Sequence, residues 1–197
     1  MTDERTTTAL LNGLRDPDNA QAWVDLDARC RPIMLAVARR IGFGDAEAED
    51  LVQITMTNFV EAYRRGQYRR ERGRLSSYLI TILRSRAIDL WRTKRRRRET
   101  DTPPEAIEHL SNRHVTRLWM DERQTQVLRQ ALDELRGNGV DENMIKAFEM
   151  FGVIGIEIAE VTETLGMTRE EVYNAKYRIT QRLRPIVAKL DEIYEDL

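Results

Sequence analysis

Apolar residues recur every three or four positions along most of this chain, and clear alternating runs are absent. Leu75, Tyr78, Leu79, Ile82, Leu83, Ala87 and Leu90 share one helical face, with Arg84, Ser85 and Arg92 opposite. The same period runs through Trp23, Leu26, Cys30, Ile33, Met34, Val37 and Ile41, and again through Leu51, Val52, Thr55, Met56, Phe59, Val60 and Tyr63. A short helix is predicted over residues 5–15, ending near Gly13. Asp16-Pro17 reads as the start of the next helix, because Asp caps free amides and Pro tolerates the first turn. Gly42 and Gly44 end that helix, and Pro32 inside it predicts a kink.

The period fades between Glu99 and Met120, where Thr100-Asp-Thr-Pro-Pro104 breaks any helix. It returns at Val127, Leu128, Ala131, Leu132 and Leu135, and Gly137-Asn-Gly139 stops it. Asp141 caps a helix with Met144, Ile145, Phe148 and Phe151 inward. A short helix over Glu157–Leu165, a turn at Gly166 and a long final helix follow. Thr168-Arg-Glu-Glu171 fits a capping box, and Val172, Ala175, Ile179, Leu183, Ile186, Val187 and Leu190 form the last stripe. The pattern predicts an all-α protein with two small helical domains, 1–98 and 121–197, joined by a flexible linker over 99–120. At about 3.3 Å per residue, those 22 residues reach about 70 Å, or about two turns of duplex DNA.

Charge sharpens this picture. From Arg64 to Arg98 there are fourteen Lys and Arg against two acids, a window of +12 in a chain whose net charge is −1. The rest of the chain therefore sums to −13. A helix with one buried face and a cationic end, Lys94-Arg95-Arg96-Arg97-Arg98, suits a polyanion. In the loop Gln67–Arg74, Tyr68 stands among arginines. It either stacks on an unpaired base, worth about 1–3 kcal/mol, or packs down on the bundle. The acids of Asp45-Ala-Glu-Ala-Glu-Asp50 suit the dipole of a helix start, and an acidic knob for a basic protein partner is the second reading.

Several chemistries drop out. A single Cys30 excludes a disulfide framework within the chain, and two histidines without a Cys partner give no zinc site. No metal or other cofactor is expected. No stretch has membrane-spanning length and the N-terminus lacks a signal-peptide core, so a cytoplasmic protein is expected. Paired acid–base residues, a phosphate-binding glycine loop and a nucleophile arrangement are all lacking, so an enzyme with a small-molecule substrate is not expected.

The last two helices have the order of a helix-turn-helix. Opposite Val172 lie Glu170, Asn174, Tyr177 and Gln181, flanked by Tyr173 and Arg178. Asn and Gln pair with adenine edges and Glu accepts from cytosine. Arg169, Lys176, Arg178, Arg182 and Arg184 are placed for phosphates.

Asp45-Ala46, Glu49-Asp50-Leu51-Val52-Gln53, Arg72-Gly73 and Arg84-Ser85-Arg86-Ala87-Ile88-Asp89 before a basic run resemble region two of bacterial RNA polymerase sigma factors. The nearest type is the extracytoplasmic-function class. Glu160–Arg184 resembles sigma region four. The resemblance implies that Asp50, Leu51 and Gln53 face core RNA polymerase. It places Tyr68, Arg72, Arg74, Tyr78, Arg84, Ser85 and Arg92, with Lys94, Arg95 and Arg96 of the basic run, near the melted non-template strand of the minus-ten element. Arg169, Glu170, Tyr173, Asn174, Lys176, Tyr177, Arg178, Gln181 and Arg182 would read the duplex minus-thirty-five element. Ile54, Ser85, Tyr173 and Ala175 depart from the residues usual in the family. The resemblance also admits an anti-sigma factor as a partner. Two other readings of the same residues stand beside it: a polymerase-independent helix-turn-helix regulator, and an RNA-binding protein using the arginine block.

Overall fold

The structure, a computed structural model, describes residues 7–16, 19–97 and 110–194, and it is all-α, with no strand among them. Pro17, Arg98 and residues 99–109, which carry the predicted helix start, the end of the basic run and most of the predicted linker, lie outside the described residues.

Contacts divide the chain into two units, one of residues 1–126 with 193–197 and one of residues 127–192. The first is built from α1 (Thr7–Gly13), α2 (Ala20–Arg40), α3 (Asp45–Arg64) and α4 (Leu75–Arg96). Helix α3 packs between α2 and α4, and α1 lies on α2. The core comes from the helical stripes: Leu26, Met34 and Val37 of α2, Leu51 and Phe59 of α3, and Leu75, Leu79 and Leu83 of α4 are all fully buried. Burying a side chain of this size stabilises by about 1.5–3 kcal/mol. Thr55 is buried among them at no polar cost, because its hydroxyl donates to the Leu51 carbonyl at 2.8 Å. Phe43 stacks on Trp91 with centroids 5.2 Å apart, joining the α2–α3 turn to the end of α4.

Three expectations are corrected. The cap of α2 is Asn19, whose side-chain oxygen accepts from the Ala22 N–H at 3.1 Å. Asp16 instead closes the turn after α1, its N–H donating to Gly13. The buried face of α4 is rotated toward Ser76, Ile80 and Trp91, leaving Tyr78, Ile82 and Leu90 half-buried, because α3 meets it from one side. Asn112–Met120, expected in the linker, are the first turns of helix α5 (Asn112–Gly137). Ser111 caps it, accepting from the His114 N–H at 3.1 Å. The polar run from Asp121 to Gln126 had hidden its continuity with the stripe that follows.

The second unit takes the end of α5, α6 (Glu142–Ala147), a π-helical turn (Phe148–Ile154), α7 (Ile158–Leu165) and all but the last two residues of α8, which runs over Arg169–Tyr194. Ala131, Leu135, Ile145, Ile179 and Leu183 form one cluster. Ala147, Val161, Val172 and Ala175 form a second beneath the α7–α8 turn. Gly166 ends α7 at φ +64°, a left-handed conformation that glycine adopts freely.

Candidate nucleic-acid interface

The cationic face is assembled where α3 ends and α4 begins. The loop after Gly66 makes one 3-10 turn (Arg70–Arg72) and displays Arg72 and Arg74 to solvent. Tyr68 turns inward. It is 9% exposed, with its ring 5.3 Å from Tyr78, 5.8 Å from Phe59 and 6.2 Å from Tyr63, and its hydroxyl donates to the Gly73 carbonyl at 3.4 Å. Of the two roles open to it, the fold adopts packing. Beside it lies a cavity of about 840 Å³ whose lining includes Trp23, Tyr63, Arg64, Arg69 and Arg70. Aromatic rings framed by guanidinium groups accept a planar ring that carries a phosphate.

Along α4 the candidate residues divide. Ser85, Arg92, Arg95 and Arg96 are exposed. Lys94 is not free, since its ammonium holds Glu47 across the bundle. Arg84 donates through Nε to the carbonyl of Leu110. Sequence reasoning omitted Arg86 from the interface, and the fold gives it a structural post: its guanidinium holds Asn58 and Asp89, each at 3.2 Å. The i to i+3 spacing of Arg86 and Asp89 was the one available signal.

The acidic start of α3 is largely engaged within the bundle. Asp45 pairs with Arg39 at 2.7 Å and Glu49 with Arg31 at 3.1 Å. Arg31 also holds Asp27 and the side-chain oxygen of Gln53, the latter at 3.0 Å. Glu47 accepts from the Gly44 N–H and closes a capping box. The hydrogen bond from Lys94 is the main reason its carboxyl lies below the usual carboxylate range. Asp50, Gln53 and Ile54 remain exposed on one surface. Leu51, expected to face a partner, is fully buried. It belongs to the buried stripe of α3 with Val52, Thr55 and Phe59, so it lies beneath this surface. Burial pushes the Cys30 thiol up to about 12, which leaves it protonated and unreactive.

In the second unit, every expected base- or phosphate-facing side chain is exposed: Arg169, Glu170, Tyr173, Asn174, Lys176, Tyr177, Arg178, Gln181 and Arg182. They share the outer side of α8 because Val172, Ala175 and Ile179 are drawn into the core. The helix start is fixed by the predicted box. Thr168 Oγ1 accepts from the Glu171 N–H at 3.2 Å, and Glu171 Oε2 accepts from the Thr168 N–H at 2.7 Å and its hydroxyl at 2.8 Å. These bonds, the backbone one foremost, lower the Glu171 carboxyl below its usual range. Tyr173 is braced edge-on by Phe151 at 5.4 Å, and the Lys176 ammonium lies 4.7 Å over the same ring.

Among the described residues there is no cluster suited to a metal ion, and no helix is long and apolar enough to cross a membrane. Neither a curated protein nor a solved structure matches the chain. Residues 26–97, from α2 through the end of α4, match the family model for Sigma-70 region 2. That match, over a little more than a third of the chain, supports a sigma-70 family sigma factor with a role in polymerase binding and promoter melting.

Proposed function

We propose that this chain is a sigma factor of the extracytoplasmic-function class that directs core RNA polymerase to specific promoters and has no catalytic chemistry of its own. The observation that carries the reading is the exposed set Arg72, Arg74, Arg92, Arg95 and Arg96, on a segment that matches Sigma-70 region 2. In this reading the surface of Asp50 and Gln53 docks on the polymerase. The arginines then hold the phosphates of the melted minus-ten strand, and the cavity lined by Trp23 and Tyr63 takes an extruded base. The outer side of α8 enters the major groove of the minus-thirty-five element, with Asn174 and Gln181 reading base edges and Arg169, Arg178 and Arg182 on phosphates. Acidic flanks that sum to −13 disfavour DNA binding by the free chain. Binding becomes productive once the polymerase positions both DNA-reading parts.

Run-off transcription with core polymerase on a promoter library tests this. Transcripts that start at a shared pair of upstream motifs, and only when the chain is present, are expected. A chain that never associates with core polymerase, or that binds duplex sites tightly alone at physiological salt, overturns the reading.

A further inference from the structure

Arg84 stands in the middle of α4 among the residues assigned to strand contact, yet its Nε already donates to the carbonyl of Leu110. Leu110 begins a segment that runs through Ser111 into the first turns of α5. Its apolar side chains Leu110, Val115, Leu118 and Trp119 are each no more than 5% exposed, and the segment belongs to the same unit as α2, α3 and α4. A second attachment lies at the far end of α2, where Arg40 Nη1 reaches Asp121 at 3.3 Å and Glu122 at 3.1 Å.

We infer that residues 110–126 form a self-docking segment that occupies Arg84 and leaves α4 only when a nucleic-acid strand or the polymerase competes for it. This rests on the proposed reading of α4 as a strand-contacting helix. The physical argument is one of competition. A guanidinium committed to a neutral carbonyl exchanges it readily for phosphate, because the phosphate adds a full negative charge and can accept two parallel N–H bonds from the fork. The docked state is shallow for two reasons. Arg40 is about half exposed, and ion pairs from such a side chain contribute little. Docking also leaves the indole Nε1 of Trp119 buried without a hydrogen-bond partner, a cost that release recovers. Apolar burial closes the segment on the free chain, and the unpaired indole keeps that closure reversible.

The test uses the full-length chain and a fluorescent single-stranded oligodeoxynucleotide of mixed sequence at low salt. Hydrogen exchange at amides 112–126 is slow in the free chain and is expected to quicken at least about tenfold when the oligonucleotide saturates it. Retained protection at saturation overturns the inference. Arg40→Glu supplies an independent check. It lowers the net charge by two, so charge alone predicts weaker DNA binding, whereas release of the segment predicts binding tighter by about two- to fivefold. Arg40→Glu with Glu122→Lys restores an attraction of reversed sign and returns the affinity to that of the unaltered chain. Weaker or unchanged binding by Arg40→Glu, or no binding by any form, overturns the self-docking segment. Promoter opening by the same chain with core polymerase then shows whether the proposed function stands without it.

Discussion

The Nζ of Lys94 lies 2.5 Å from Oε1 of Glu47, and this contact ties the cationic end of α4 to the first turn of α3. A residue that looks in sequence like part of a five-residue cationic run is thereby a strut between two helices. The carboxylate it holds is the same one that closes the capping box at Gly44.

The pair carries a pH signature. With its folded pKa depressed, mainly by Lys94, Glu47 contributes stability that is fully present above its ordinary value of 4.5 and is lost as pH falls through the lower folded value. Because the carboxylate is 39% exposed, solvent screening keeps the contribution below about 1 kcal/mol. Glu47→Gln should therefore lower stability slightly at neutral pH, and the difference from the unaltered chain should shrink below pH 4.5. Urea denaturation at the two ends of that range measures it.

Salt dependence separates the basic run into its members. Arg95→Ala and Arg96→Ala should each flatten the slope of log affinity against log salt by about 0.7 for a single strand, one phosphate contact apiece. Lys94→Ala should change the slope far less, since its charge is spent on Glu47. Titrations of polymerase-bound chain against melted promoter DNA at several salt concentrations check this, and equal slopes for all three variants would contradict it.

Tyr68 offers a stability readout. Its ring fills the space between Phe59, Tyr63 and Tyr78, so Tyr68→Ala should cost about 3 kcal/mol, in the range of large aromatic truncations. Tyr68→Phe keeps the ring and loses only one long hydrogen bond, so it should cost less than about 1 kcal/mol. A Tyr68→Ala chain as stable as the unaltered one would show that the ring is not part of the core.

At α8, Thr168→Ala removes the acceptor of the Glu171 N–H and one of two donors to its carboxylate, and should destabilise the second unit by about 1 kcal/mol. Chemical denaturation followed by tryptophan-independent helix signal reads the loss. On the outer side of the same helix, Asn174→Ala should relax preference at one base pair by about 1–3 kcal/mol. Arg178→Ala should weaken all sequences alike. Promoter-library transcription distinguishes the two patterns.

Much of this was legible from spacing alone. The helical stripes predicted α2, α3, α4 and α8, and Thr168 with Glu171 predicted the start of α8 to the residue. The outer side of α8 was readable for the same reason: once Val172, Ala175 and Ile179 go inward, a 3.6-residue period decides where Asn174 and Gln181 point. The start of α5 was not legible, because its one short apolar set, Val115, Leu118 and Trp119, is cut off from the stripe that begins at Val127 by the polar run Asp121–Gln126. Asp16 misled as a cap because Asn19, three residues on, carries an equally short acceptor and wins the position.

Local chemistry, then, determined the helices and most of their caps, which depend on neighbours within a few residues, and the order of residues along the chain determined the segregation of charge. Tertiary structure decided which charged and aromatic side chains are free. Leu51 went beneath the surface it was expected to form, Tyr68 went into the core, and Lys94 and Arg84 were taken by Glu47 and by Leu110. Each of those outcomes turns on a partner 26 to 47 residues away, or on a packed neighbour on another helix, and a one-dimensional pattern holds no record of what lies across a bundle.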